Sequence, residues 1–489
     1  MKNVKDVSSR VSRPVKILQI GEGNFLRAFI EYGIDIANET LDYNGNVAMV
    51  VPRSPKKEAF DKQDNLYTVC LRGQKNGSVY RENRIITCVE TVVSANYDFS
   101  GFLRLAHRDT LEFVISNTTD AGILFDDTDR PLPDTPASTF PGKLTQFLYE
   151  RYRFFKGAAD KALTMLPVEL IDHNGEALKT CVFQYIDIWQ MEADFKHWVD
   201  TKCAFVSTLV DRIVTGYPKD TEEIAAMYEE LGYEDELLDI AEPFNSWVIG
   251  AASLKEKFPV SSPQWQVEFT DDLEAYRERK IRILNGAHTS MVLGAYLAGK
   301  EYVGECMADP VIRRQLDQSV YGEIIPTVHM PREKAEAFAA DVYERFENPF
   351  VKHALLSISL NSIAKWKGRV LPTLKDSIAQ TGRLPKWLTY SLAALLAFYR
   401  SEHRGDGCLI GNRGTDIYEI HDEPDNLAFV RTHAGLAAGD YVRDMMAHTS
   451  FWGEDLTHID GFAEAVTAHL ERMAEVGVKA HIAELGEQV

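Results

Sequence analysis

The sequence predicts an α/β domain built on a mostly parallel sheet, followed by a mostly α-helical domain. Three observations predict it. Near the N-terminus a short apolar strand runs straight into a glycine turn and then an apolar helix pattern. Strand–loop–helix units then repeat, as a parallel sheet requires. From about Thr270 onward β-branched runs become scarce and helix-period segments take over. The expected division is 1–270 and 271–489, in a 489-residue chain too long for one small core.

Composition narrows the function classes. The chain is 45% hydrophobic and 26% charged, as in soluble globular proteins. A formal net charge of −20 repels phosphate backbones and anionic membrane surfaces, so neither nucleic acid nor membrane is an expected partner. A small anionic substrate stays compatible, because a local basic pocket can oppose the global field. Cys70, Cys88, Cys181, Cys203, Cys306 and Cys408 are scattered without a C-x-x-C pair. That pattern suits reduced thiols in a cytoplasmic protein, with neither a disulfide framework nor a structural metal. The first ten residues lack an apolar signal core, and no run of about 18 apolar residues occurs.

In the N-terminal half, Lys16–Ile20 reads as a buried strand, followed by Gly21-Glu-Gly-Asn-Phe-Leu-Arg27 and a helix pattern through Phe29, Ile30, Ile34 and Ile36. Gly21 would make the tight turn. Gly23 would let the backbone approach a pyrophosphate at the helix N-terminus. Leu26 stands where a third glycine is usual, and an ordinary βα turn is the alternative. The cofactor-binding stretch is expected over Ile17, Leu18, Gln19, Ile20, Gly21, Glu22, Gly23, Asn24, Phe25, Leu26, Arg27 and Ala28. Asn46–Val51 is the second strand. It ends in the basic Pro52–Lys57 instead of an acidic residue, so NAD and NADP both remain open on these residues.

Further strands are expected at Leu111–Ser116 and Met165–Ile171, with a helix from Pro141 to about Phe155 between them. Asn117–Gly122 places small polar residues where open sheets bind ligands. A helix N-cap at Thr118 or Thr119 explains the same letters. His173 and Asn174 lie in a stretch explained equally by turn chemistry, before a helix from Glu176. The apolar run Phe205–Val210 ends in Asp211–Arg212.

In the C-terminal half, helices are expected over 273–298, 310–328, 332–346, 350–367, 385–401, 430–446 and 458–485, with Pro326, Pro331, Pro349 and Pro372 at segment ends. Gly405–Asp425 reads as a surface loop. Tyr276–Ser290 sets Lys280, Asn285 and His288 at i, i+5 and i+8. At about 100° per residue they fall within an arc of roughly 140°. A lysine, an amide and an imidazole on one face can supply a proton acceptor, an oxyanion donor and a positioning group. A solvated basic face is the alternative. Lys352, His353, Asn361, Lys365, Lys367 and Arg369 form a second basic cluster, in which Asn361 and Lys365 share a helix face at i, i+4.

Gly21-Glu-Gly-Asn-Phe-Leu-Arg-Ala28, Val210-Asp-Arg-Ile213 and Lys280-x4-Asn285-x2-His288 resemble the mannitol dehydrogenase family of polyol-specific long-chain dehydrogenases. The likeness extends through Ser116–Ile123, Glu169–Gly175, Ser207–Pro218 and Ile283–Thr289, nearly the whole chain. It implies a Rossmann-type domain and a helical domain with a metal-free site between them. It implies NAD as cofactor and interconversion of D-altronate and D-tagaturonate, an aldonate and a keto-hexuronate, in hexuronate breakdown. Reduction of fructuronate or oxidation of a neutral polyol are the alternatives within the family. Outside it stand a zinc-dependent alcohol dehydrogenase using His173, His288 or a cysteine, and a non-catalytic NAD(H) sensor.

By position, the resemblance makes Lys280 the catalytic base, Asn174 and Asn285 oxyanion amides, and His288 a substrate-binding histidine. It places Asp211 near the substrate and makes Lys365 a substrate contact. Polyol-oxidising relatives carry an arginine eight residues before that lysine. Here Ser357 stands there, so mannitol is not the expected substrate. A free lysine titrates near ~10.4 and must fall towards ~7–8 to act as a base at neutral pH. Arg277, Arg279 and Arg282 are the expected neighbours favouring its neutral form. Eight residues of α-helix rise about 12 Å, so Lys280 and His288 are expected to hold different parts of a six-carbon chain.

Overall fold

The computed structural model describes residues 1–51, 57–119, 122–132 and 134–487. They form two compact units, Met1–Leu273 and Glu274–Val489. The first is organised on six strands: β1 (Val15–Ile20), β2 (Asn46–Val51), β3 (Val89–Ser94), β4 (Phe113–Ser116), β5 (Thr164–Pro167) and β6 (Ala204–Phe205). All pair in parallel, in the order β3-β2-β1-β4-β5-β6. The order reverses between β1 and β4, the switch point at which doubly wound sheets bind ligands. Alternate residues of β1 enter two separate cores, Ile17 with Phe29, Trp247 and Trp265, and Leu18 with Phe102, Phe147 and Trp198. Burial on both faces is why β2 and β4 are almost wholly apolar in the sequence, while β1 also carries Lys16 and the buried, hydrogen-bonded Gln19.

Helix α1 (residues 24–40) follows β1 and carries a π-helical turn over Arg27–Glu31. Helix α2 (Asn174–Ile188) starts two residues before the expected Glu176. The run Phe205–Val210 is not one strand. β6 stops at Phe205, and Thr208–Asp211 pairs antiparallel with Ser246–Ile249 in a separate three-stranded sheet. The break falls at Ser207, where Gly175 packs so closely that a Cβ would lie 2.5 Å from the Ser207 backbone nitrogen. β5 is likewise shorter than expected, ending at Pro167. A long hairpin, Tyr67–Lys75 with Ser78–Ile86, was not foreseen.

The second unit is mostly helical. Its first helix, α3 (residues 273–297), is α-helical over Leu273–Arg279, π-helical over Lys280–Asn285 and α-helical again over Gly286–Leu297. The expected helix 350–367 is instead Leu355–Ile358 followed by α4 (Ser362–Arg369). Asn361, with φ 54°, separates them. Asparagine tolerates this left-handed conformation, which no α-helix can contain. The expected 458–485 helix is broken at Gly477, whose φ of 88° and ψ of 152° lie outside any helix. The supposed surface loop contains a hairpin, Leu409–Arg413 with Asp416–Ile420. All six cysteines are buried free thiols. Among the described residues no helix is long and apolar enough to cross a membrane.

The Gly175 contact is testable. Its neighbour is backbone and cannot swing aside, so Gly175→Ala should cost about 1–3 kcal/mol. A lower urea midpoint at unchanged m-value would show it. Gly322→Ala, at a helical position where nothing lies within 4 Å of the new Cβ, is the control and should leave the midpoint unchanged or raise it.

Candidate active site

The glycine turn after β1 is built by two glycines with opposite tasks. Gly21 has φ +122°, a conformation glycine alone adopts readily, and a Cβ there would lie 2.6 Å from the Asn117 carbonyl oxygen. Its N–H donates to Val50 O at 2.9 Å, and Asn117 N–H donates to Ile20 O at 3.1 Å, so the turn is held by both neighbouring strands. Gly23 has nothing within 4 Å of its Cβ position. It precedes the first turn of α1 and offers no side-chain cap, which leaves the leading N–H groups directed outward. A cleft of ≈ 470 Å³ opens there, lined by Glu22, Gly23, Asn24, Arg27, Glu58, Phe60, Lys62 and Leu237, among others. An uncapped helix N-terminus beside open space at a switch point fits the pyrophosphate of a dinucleotide.

The other residues of the expected cofactor stretch shape this cradle from behind. Ile17, Leu18, Ile20, Leu26 and Ala28 are buried in the cores, and Phe25 stacks on Phe29 at 4.9 Å. Gln19 is buried and donates to Gly21 O at 3.0 Å and to Glu31 at 2.7 Å. Arg27 bonds Asn24 at 2.6 Å and lies 3.6 Å from Asp239. Glu31 also accepts from Tyr67, and burial pushes its carboxyl up to about 7 against the pull of Tyr67 and Arg27. Burial likewise pushes Asp239 up to about 7, opposed by Arg27. Pro52–Lys56, on which the choice between NAD and NADP was left open, lies outside the described residues. Lys57 starts a helix and pairs with Asp61 at 2.8 Å.

Asn174, buried at the start of α2, donates through Nδ2 to Pro167 O (3.0 Å), Glu169 O (3.0 Å) and Thr208 O (3.1 Å). Its Oδ1 accepts from Thr208 N at 3.0 Å. Two N–H groups are thus shared among three carbonyls, and the amide ties the end of β5 to the strand whose last residue is Asp211. His173, immediately before it, is exposed and left-handed, φ 51°.

Glu169, not among the residues expected at the site, performs a similar task between β4 and β5. It accepts from Thr118 N (3.1 Å), Thr118 Oγ1 (3.0 Å) and Ser116 Oγ (3.0 Å). Burial raises its pKa. Thr118 therefore serves a buried carboxylate and caps no helix. A lone acid inside the apolar run Met165–Ile171 was the available signal.

In the second unit, the π-helical turn decides the placement of Lys280 and Asn285. Gly286 N–H donates to Ile281 O, five residues back. Closing at i→i+5 brings residues five apart onto successive rungs of one face, whereas an α-helix would separate them by about 140°. Both residues are half-buried, and the Asn285 carboxamide has no partner among the described residues. The three arginines are engaged around the helix. Arg277 pairs with Glu274 at 3.4 Å, and Arg279 lies over Phe338 and Tyr276 at 4.3 and 4.7 Å. Arg282 pairs with Glu278 at 2.9 Å and Asp376 at 2.5 Å.

His288 stacks on Phe346 at 4.1 Å and meets His353 edge-on at 5.4 Å. Its Nε2 is sealed from solvent without a hydrogen-bond partner. Burial first, then His353, Arg345, Arg369 and Lys365, hold its pKa well below the ordinary value. Lys365 donates to Ile358 O at 2.8 Å, and burial and Arg369 lower its pKa. Asn361 does not share its helix face, because it precedes α4 and offers only its carbonyl to Lys365 N–H at 3.1 Å. Ser357 is exposed and donates to its own turn, to Ala354 O at 2.7 Å. Among the described residues one group of potential metal donors, Cys408, Glu419 and His421, brings ligand atoms within 4.8 Å of each other. It includes neither His173 nor His288.

Comparison with known proteins gives a consistent picture. A mannitol dehydrogenase Rossmann-domain model matches residues 15–266, and a mannitol dehydrogenase C-terminal-domain model matches 272–474. An altronate oxidoreductase of Yersinia pestis bv. Antiqua (strain Nepal516) is 41% identical over 490 residues, covering 98% of this chain and 99% of that protein. One from Klebsiella pneumoniae (strain 342) is 42% identical over 475 residues, covering 95% and 96%. Among solved structures, a D-sorbitol dehydrogenase in substrate-free form superposes with TM-score 0.79 at 20% identity, covering 99% and 100% of the two chains. Pseudomonas fluorescens mannitol 2-dehydrogenase, in complex with NAD and D-mannitol, gives 0.64 at 21%, covering 99% and 96%.

The buried acids under the glycine turn set a pH dependence. Glu31 and Asp239 have folded pKa values raised above their unfolded ones, so the folded state holds their protons more tightly. Their contribution to stability is fully present below the unfolded values and is lost as pH rises through about 7. The urea midpoint should therefore be higher near pH ~5.5 than near pH ~8, and Glu31→Gln should flatten the difference.

Proposed function

The chain belongs to the mannitol dehydrogenase family, and on that basis we propose that it is an NAD-dependent oxidoreductase interconverting D-tagaturonate and D-altronate in hexuronate breakdown. Relatives that match almost end to end and carry the name altronate oxidoreductase support the substrate. The cradle at Gly21–Asn24 supports the cofactor. The observation that carries the chemistry is the π-helical turn, which sets Lys280 and the uncommitted amide of Asn285 on one face.

Bound NADH supplies a hydride to the ketone carbon. The protein's part is to manage the oxygen and hold the chain of hydroxyls. In reduction the Lys280 ammonium gives its proton to the developing alkoxide; in oxidation the amine takes it back. Asn285 donates to the same oxygen and stabilises its charge without needing to reorganise. Asn174 is assigned a different task from the one its motif implies. With its N–H groups shared among three backbone carbonyls, it positions the loop and the strand ending at Asp211. His288, neutral and with Nε2 unpartnered, accepts from or donates to a substrate hydroxyl, and Asp211 accepts from another.

Lys280→Ala should lower kcat by about 10²–10⁴-fold. Asn285→Ala should lower it by about 10²–10³-fold. NADH binding, followed by fluorescence, should persist in both. The identity of the reaction is checked by NADH oxidation against D-tagaturonate, D-fructuronate and D-fructose. Turnover of tagaturonate above the others is expected, and no reaction with either uronate would contradict the reading.

A further inference from the structure

Around His288 the second unit gathers several positively charged side chains. α4 carries Lys365 and Arg369 at i, i+4, on one side of the helix. Arg369 Nη1 donates to Thr289 Oγ1 at 3.4 Å, and that hydroxyl donates to Asn285 O at 2.8 Å. The Arg369 carbonyl lies 3.4 Å from where a Cβ of Gly286 would be. Arg369 is therefore seated against the very turn of α3 that carries Asn285, Gly286 and His288. The His353 ring meets that of His288 edge-on, at 5.4 Å. Among the described residues, none of His288, His353, Lys365 and Arg369 forms an ion pair with a carboxylate. Asp422 is the acid whose field reaches Lys365, but it is engaged by Tyr399 Oη at 2.6 Å and by Asn426 Nδ2 and Glu423 N–H, each at 2.8 Å.

Partly buried like charges are costly, and the groups here all show it. His288, His353, Lys365 and Arg369 are all shifted towards their neutral forms, burial being the first cause in each. A bound anion reverses that penalty. The unpartnered Nε2 of His288 adds an independent sign that a ligand atom is missing there. An aldonate and a keto-hexuronate differ from neutral polyols in having a carboxylate at one end.

Resting on the keto-hexuronate reading above, we propose that Arg369 is the carboxylate anchor of the substrate site, with Lys365 beside it and the His288–His353 pair closing the pocket. A guanidinium matches a carboxylate through two parallel N–H donors, which a lysine cannot do. The carboxylate would be held one helix over from Lys280 and Asn285, so that the charged end and the ketone of a six-carbon chain are gripped separately. Arg369 thereby becomes the residue that separates uronates from neutral ketoses.

The test compares wild type, Arg369→Gln and Arg369→Lys in two measurements. The first is steady-state reduction of D-tagaturonate and of its neutral counterpart, with a hydroxymethyl in place of the carboxylate. The second is calorimetric binding of D-altronate to the cofactor-loaded protein, which needs no turnover. Losing a charged hydrogen-bonded contact should weaken altronate binding and raise the tagaturonate KM by about 10- to 150-fold. The loss should fall on KM far more than on kcat, preference for the uronate should collapse, and Arg369→Lys should recover part of it. NADH affinity should not change.

Wild type that reduces tagaturonate, with Arg369→Gln leaving KM and altronate affinity intact, would overturn the anchor and leave the proposed function standing. Equal losses on charged and neutral substrates would also overturn it, by showing a purely structural role. Wild type that neither binds altronate nor reduces a uronate would overturn both.

Discussion

One hydrogen bond, from Gly286 N–H to Ile281 O across five residues, fixes the register on which the proposed chemistry depends. The two α-helical halves of α3 are each committed on their own terms. The N-terminal half is clamped by Arg279 over Phe338, and Glu278 at its end is held by Arg282, which the turn itself pins to Asp376 and Thr327. The C-terminal half, Gly286–Leu297, is buried almost throughout. Gly294 there allows Tyr390 to approach to within 2.7 Å of a Cβ position. A regular α-helix would turn one half by about 100° against the other and break one of these commitments. The widened turn is the solution, and α4 and Ile324 pack against it at Gly286.

The first unit solves a different problem. Its loops at the C-terminal ends of β1, β4 and β5 must stay close together while remaining irregular, so their backbone polar groups need partners other than a strand. Buried side chains supply them. Asn174 serves the end of β5 and the start of Thr208–Asp211, Glu169 serves Ser116 and Thr118, and Arg212 donates to Ala28 O and Glu242 O. Gly21 and Gly175 let the backbones touch. The cradle for a dinucleotide is thus rigid by construction, not by the bulk of its own residues.

Much of this was legible in the letters. β2 is apolar from Val47 to Val51 because both its faces are covered, and it falls on the expected residues; β1 starts one residue before the expected Lys16. The glycine turn was legible because its strand and helix stand on either side of it. What was hidden has a common cause, which is that it depends on partners far away in sequence. Periodicity at 3.6 residues per turn puts Lys280 and Asn285 on one face but at the two edges of an arc of about 140°, and it cannot reveal the wider turn that brings them closer. The carboxamide of Asn174 looks the same whether it faces a substrate or three carbonyls. Asn361 fits a helical pattern until its left-handed backbone removes it. Arg369 was visible as one of five basic residues clustered with Asn361, and only its seat against Thr289 and Gly286 sets it apart.

The central claim is that Lys280 and Asn285 act on one oxygen because the π-helical turn aligns them. A double-mutant cycle on kcat for tagaturonate reduction tests it, using Lys280→Ala, Asn285→Ala and the pair. Groups serving one reacting atom are strongly non-additive, so the double variant should be scarcely slower than the slower single variant. Losses that simply multiply would show two independent roles and contradict the account.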